Sequence, residues 1–235
     1  MKRSIYGVVS LVVLATSAGA QVGHLPDRSP FVDVDYRQEL TLYGGPYAAK
    51  RDPAGVAPQY GAAVGLFYAW RAGGPAYLFA DMGTITTNRT VLDPRKPEAT
   101  RDLGARSWPL YTADAGLSLA LTGAKSYHRF IPMVRGGVGI VTDFKSVPDT
   151  GDFKFGTRFA LTWGAGIRYV PGGKWQVRAD WTNRLYTVSY PTTYYDPPVA
   201  TGGNPVPPIL AGDVAKSRWT NNAAFTLGLS YLFSR

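Results

Sequence analysis

Cysteine is absent from the 235 residues, which excludes disulfides, zinc–thiolate centres and thiol nucleophiles. Histidine is nearly absent too, with only His24 and His128. Two histidines so far apart give no metal-ligand spacing, so no metal and no cofactor is expected. Charged residues make up 17% of the chain. The net charge of +9 comes without any dense Lys/Arg run, so a nucleic-acid partner is not expected. Long apolar runs are missing as well. The only candidate is Ile5 to Ala15, shorter than the about 20 residues a membrane-spanning helix needs.

That run has its own reading. Lys2 and Arg3 precede it and Ala18-Gly19-Ala20 closes it, the order of basic start, apolar stretch and small-residue cleavage site in a secretory signal peptide. Cleavage after Ala20 would remove Lys2 and Arg3, leaving 23 basic against 16 acidic residues and a net charge of +7. The chain then divides into a leader over 1–20, a short periplasmic segment over 21–33 and a β-barrel over 34–235.

What the chain has in quantity is glycine (27) and tyrosine (15), a composition that favours extended structure. Apolar residues alternate with small or polar ones. From Phe155 to Val170, one face carries Phe155, Thr157, Phe159, Leu161, Trp163, Ala165, Ile167 and Tyr169. The other carries Gly156, Arg158, Ala160, Thr162, Gly164, Gly166 and Arg168. Tyr111–Leu121 and Ala223–Phe233 alternate in the same way. Val34–Tyr43, Tyr60–Arg71, Ala76–Thr87, Phe130–Asp143 and Trp175–Tyr190 fit less tidily. The third of the eight in chain order is the weakest, because Tyr77 and Phe79 share a face with Asp81. Eight strands in sequence predict an all-β, eight-stranded, antiparallel up-and-down barrel.

The bulky face fits lipid and the small, polar face fits a narrow lumen, the reverse of a soluble barrel. Short turns at Ala72–Pro75, Gly123–Arg129 and Pro171–Lys174 alternate with longer links, as in outer-membrane barrels. Both termini then fall on the periplasmic side. Aromatic residues gather near the strand ends: Tyr36, Tyr68, Trp70, Tyr169, Trp175, Tyr231 and Phe233 at one level, and Tyr60, Trp108, Phe155 and Trp219 at the other.

The run Trp163-Gly164-Ala165-Gly166-Ile167-Arg168-Tyr169, the turn after it and Trp175-Gln176-Val177-Arg178-Ala179-Asp180-Trp181 resemble small OmpA/OmpX-type outer-membrane barrels. The closing Leu227, Leu229, Tyr231 and Phe233 are similar to the C-terminal signal that the barrel-insertion machinery reads in that superfamily, although Ser234 and Arg235 follow here. The resemblance implies an integral outer-membrane protein surrounded by membrane lipid and lipopolysaccharide. It implies no particular activity.

Eleven charges fall on predicted lumen positions: Arg37, Glu39, Arg71, Asp81, Asp114, Arg135, Arg158, Arg168, Arg178, Asp180 and Arg184. An eight-stranded barrel is just wide enough for its own side chains, so arginine–carboxylate pairs would plug it. The alternative is a narrow passage for small anionic or hydrophobic solutes, since seven arginines outnumber four carboxylates. A lipid A-modifying enzyme would need a Ser–His pair. His24 follows the cleavage site, and His128, beside Ser126, sits in a periplasmic turn, so no catalytic residue is expected. Pro191 to Arg218, with Tyr194 and Tyr195, is read as a mobile surface loop. The link holding Asn88, Arg89, Asp93, Arg95, Lys96, Glu98, Arg101, Asp102 and Arg106 is read as a solvated loop within reach of lipopolysaccharide phosphates.

Overall fold

The computed structural model describes residues 29–145, 147–197 and 205–233. The predicted leader and His24 lie outside them. Ten strands form one sheet: β1 (Phe31–Asp33), β2 (Gln38–Ala48), β3 (Gly61–Gly73), β4 (Ala76–Leu92), β5 (Asp102–Ala120), β6 (Lys125–Tyr127), β7 (Phe130–Thr142), β8 (Thr157–Gly172), β9 (Trp175–Ser189) and β10 (Ser217–Phe233). Eight of them close a ring in the order β2-β3-β4-β5-β7-β8-β9-β10 and back to β2, every pair antiparallel. The chain therefore forms the eight-stranded up-and-down barrel expected from its alternation. Among the described residues no helix is long and apolar enough to cross a membrane.

Closure costs side chains at the seam. A Cβ on Gly45 would stand 2.0 Å from the Phe225 carbonyl oxygen on β10, so only glycine lets β2 approach there. Gly44-Gly45-Pro46 follow directly on the predicted segment Val34–Tyr43. They lie inside β2, which starts at Gln38 rather than Val34 and ends at Ala48 rather than Tyr43.

The exposed wall is apolar. On β8, Phe159, Leu161, Trp163, Ile167 and Tyr169 point outward, and Leu42, Leu66, Met82, Leu117, Val138 and Leu227 do so on other strands. From Phe159 to Tyr169 the outward row is roughly 33 Å long at about 3.3 Å per residue, or roughly 25 Å high at a tilt of about 40°. Rings meet at the lower edge of this band: Trp175 with Tyr231, Tyr231 with Phe233, and Tyr68 with Phe233. At the other edge Tyr60 and Trp219 are exposed, but Trp108 and Phe155 are buried inside the barrel. Trp108 faces inward with Leu110 and Thr112. For Phe155, Gly156 at φ +68° breaks the alternation before β8 starts at Thr157.

The start of β2 and the end of β10 pair at the short-turn end, where Phe233 meets Gln38. There the chain before β2 crosses the mouth. β1 pairs with β6, an excursion inside the longest of the three turns. Val34 then packs with Phe67, Tyr77, Phe79, Ile131 and Met133.

Candidate functional site: a charged layer between two apolar plugs

Halfway along the lumen the inward faces of six strands bring charges together. Asp114 (β5), Arg135 (β7), Arg168 (β8), and Arg178, Asp180 and Arg184 (β9) keep the two-residue spacing that points them inward. Glu39 on β2 and Asp81 on β4 complete the set, and all but Arg135 are buried. A guanidinium cannot shed its proton, so each needs an anion in place.

The pairs are made. Arg178 donates from Nε and Nη2 to both oxygens of Asp180, at 2.6 and 2.8 Å. Its Nη1 donates to Glu39 Oε1 at 2.8 Å. Arg168 takes the other Glu39 oxygen, and the Thr41 and Ser230 hydroxyls donate to Oε1 at 3.0 and 3.1 Å. Deeper in, Arg184 reaches Asp114 at 2.7 Å and Asp81 at 3.6 Å. Arg135 lies 3.7 Å from Asp81 and donates to Thr182. Tyr43 donates to the second Asp81 oxygen.

Eight of the eleven predicted lumen charges meet here, four arginines against four carboxylates. The remaining three are all arginines. Arg37 is exposed ahead of β2, and its carbonyl accepts the Arg71 amide. Arg71 sits half-buried at the short-turn mouth, donating to the Val34 carbonyl at 2.8 Å. Arg158, half-buried at the opposite rim, donates to the Phe155 carbonyl at 2.8 Å and the Ser189 hydroxyl at 3.3 Å. The excess of arginine thus lies outside the layer, which is neutral in formal charge.

Tyr77 and Phe79, which made the third strand look weak, do face inward with Asp81. Arg178 stands 4.1 Å over the Phe67 ring and Arg168 5.1 Å over Tyr77, so the short-turn plug meets the charges through cation–π contacts. These aromatics were missed as lumen residues because bulk was assigned to the lipid face.

The other plug comes from the loops. Val56, Phe153, Phe155, Tyr190, Tyr194 and Leu210 pack with Tyr47, Trp108, Leu110 and Tyr186 across the long-loop mouth. Arg89 is fully buried at its centre, 4.5 Å from both the Trp108 and Phe153 rings, and pairs with Asp149. Asp149 Oδ1 accepts the amides of Gly151 and Phe153 at 2.8 and 3.0 Å. Two expectations change here. Asn88 and Arg89 belong to β4, where the alternation runs on through polar residues, and Asp102 and Arg106 belong to β5, where they pair with Leu92 and Arg89. The predicted loop Pro191 to Arg218 is also tied down in part, with Tyr194, Val206 and Leu210 buried while most of 211–216 is exposed. Tyr194 is completely buried, and its carbonyl holds the Ile209 and Leu210 amides. Tyr190 donates to Asp52 at 3.0 Å. Burial and the Asp52 carboxylate push its phenol well above the usual range.

Ser126 gives its hydroxyl to the Val32 carbonyl at 3.2 Å, and the His128 ring packs edge-on against Tyr127. They do not form a nucleophile–base pair.

Together the ring, the apolar wall and the filled lumen define a small antiparallel β-barrel of the outer-membrane type. No protein-family model and no curated protein matches the chain by sequence. Among solved structures, the outer membrane protein OprG from Pseudomonas aeruginosa superposes with a TM-score of 0.51 at 12% identity, over 85% of this chain and 98% of that one. Ail, the attachment invasion locus protein of Yersinia pestis, solved with the heparin analogue sucrose octasulfate, aligns over 85% of this chain and all of its own. That alignment has a TM-score of 0.41 and 12% identity. The likeness to OprG is one of fold.

Proposed function

We propose that the chain is an integral, non-enzymatic protein of the bacterial outer membrane whose lumen is closed to solutes, with a structural or surface-contact role. The observation that carries this reading is the neutral layer of four arginines and four carboxylates between two apolar plugs. A water-filled pore has neither such pairing nor such plugs. The balance of four against four also favours closure over an anion-preferring passage, which would need unpaired arginines in the lumen. The exposed apolar wall takes the lipid, with the short-turn end and both termini periplasmic and the long loops outside. Leu227, Leu229, Tyr231 and Phe233 lie on β10, the strand that closes the ring against β2. In this reading they present the signal to the insertion machinery.

Three experiments test the proposal. The purified protein should migrate differently on a gel before and after boiling, as a barrel does. Liposomes carrying it should swell in small sugars and organic anions no faster than empty ones. Swelling that follows solute size would overturn the closed lumen. A changed lipid A mass spectrum on overexpression or deletion would overturn the non-enzymatic role.

A further inference from the structure

At the long-loop rim β10 outruns its neighbour. Its pairing with β2 stops at Ala223, opposite Ala48, whereas its pairing with β9 continues to Ser217. Residues 217–222 therefore present a strand edge that β2 does not cover. The chain leaving β2 passes in front of that edge and leaves a notch of about 290 Å³. Lys50 and Arg51 from the chain after β2, Arg218 and Trp219 from β10, and Val188 and Tyr190 from the end of β9 line it.

The notch is basic without internal compensation. Arg89, Arg95 and the four lumen arginines each have a carboxylate within 4.0 Å, but Lys50, Arg51 and Arg218 have none among the described residues. Asp52, the one acid in the lining, is engaged by the Tyr190 hydroxyl and the Val56 and Ala57 amides. Trp219 and Tyr60 are both strongly exposed, and amphipathic rings on such a rim sit at headgroup level.

We propose that this notch binds the phosphate groups of an outer-leaflet glycolipid, with Lys50, Arg51 and Arg218 as the ligating cations and Trp219 against the sugar–acyl boundary. The inference rests on the outer-membrane reading above. Phosphate is the anion that suits it, because arginine forks and a lysine point charge supply converging donors to its oxygens. A lipid source fits the position, since the notch opens where the apolar wall ends. The charged β4–β5 link is a poorer candidate, because Arg89 and Arg95 are spent on Asp149 and Asp152.

The test is native mass spectrometry of the detergent-folded barrel with diphosphoryl lipid A, dephosphorylated lipid A or inorganic phosphate. The variants are K50Q/R51Q/R218Q and, for equal charge loss elsewhere, K96Q/R106Q/K154Q. Three cations at a membrane surface predict that the first variant loses diphosphoryl lipid A roughly a hundredfold, down to the dephosphorylated level. The second variant should hold it like the parent. Equal retention by parent and first variant overturns the site. Inorganic phosphate binding as well as the lipid overturns the lipid source. A chain that shows no heat-dependent gel shift fails the outer-membrane reading before any lipid is added, so the two failures are distinguishable.

Discussion

Arg184 on β9 closes on Asp114 on β5 at 2.7 Å, although the two strands stand three places apart around the ring of eight. Such a contact crosses the lumen rather than running along its wall. With Arg168–Glu39 and Arg135–Asp81 it ties distant strands through the barrel's interior. The ties hold the barrel's cross-section and fill it in the same stroke.

Glu39 is the anion on which the largest penalty should fall. It serves Arg168 and Arg178 together, and Arg178 keeps Asp180 if Glu39 is lost, whereas Arg168 has no second carboxylate among the described residues. Glu39→Gln should destabilise the folded barrel by about 3–5 kcal/mol, read as a lower urea midpoint in vesicles. E39Q/R168M should lose less than the two single changes summed, because it removes the stranded cation with its partner. Strict additivity would mean that the pair is not coupled.

A second change tests the crowding of the same layer. A Cβ on Gly228 would lie 2.6 Å from the Thr41 methyl and 3.2 Å from Arg178 Cγ. Gly228→Ala should therefore cost about 1–3 kcal/mol. Thr41→Ser deletes that methyl but keeps the hydroxyl that donates to Glu39, so G228A/T41S should recover about 1 kcal/mol. A double-mutant cycle in urea measures the recovery, and its absence would place the strain elsewhere.

The long-loop plug has its own pin in Arg89. In R89M, Asp149 loses its guanidinium and the stack between Trp108 and Phe153 loses its cation. Opening of 143–156 should become easier by about 2 kcal/mol. Trypsin should then cut after Lys145 and Lys154 roughly thirtyfold faster, while the strands stay resistant. An unchanged rate would show that the loop is held by its apolar contacts alone.

On the outer wall, Val138 lies midway along β7 and is half exposed. Val138→Arg should cost about 2–4 kcal/mol in a bilayer, measured as vesicle unfolding. It should cost far less in a detergent whose head groups reach the side chain. Equal tolerance in both would mean that this face meets water.

The alternation showed the ring because inward and outward residues differ most where lipid faces one side. Phe159 to Tyr169 on β8 is legible for that reason. Beyond the apolar band both faces turn polar and the signal fades: Asn88 and Arg89 read as part of a loop, although β4 runs to Leu92. Arg89 could still have been found, since Ile85, Thr87, Arg89 and Val91 continue the inward parity of Tyr77, Phe79 and Asp81. Eight of the charges that spacing put on inward positions come together in one layer, but spacing carried no information on which side chains cross the lumen. The three arginines outside that layer, Arg37, Arg71 and Arg158, all sit at strand ends. There a side chain of the right parity has already left the interior or turned to a backbone carbonyl. The plugs were illegible for a different reason. Val34 and Tyr194 lie outside regular alternation and are buried only because the chain folds back over a mouth.

Closure of the lumen is tested most directly by planar-bilayer recording of the purified, heat-modifiable barrel. A neutral paired layer between two apolar plugs predicts no steady conductance at moderate voltage, with openings only in variants such as R89M or E39Q. Stable, anion-selective openings in the unaltered protein would contradict it.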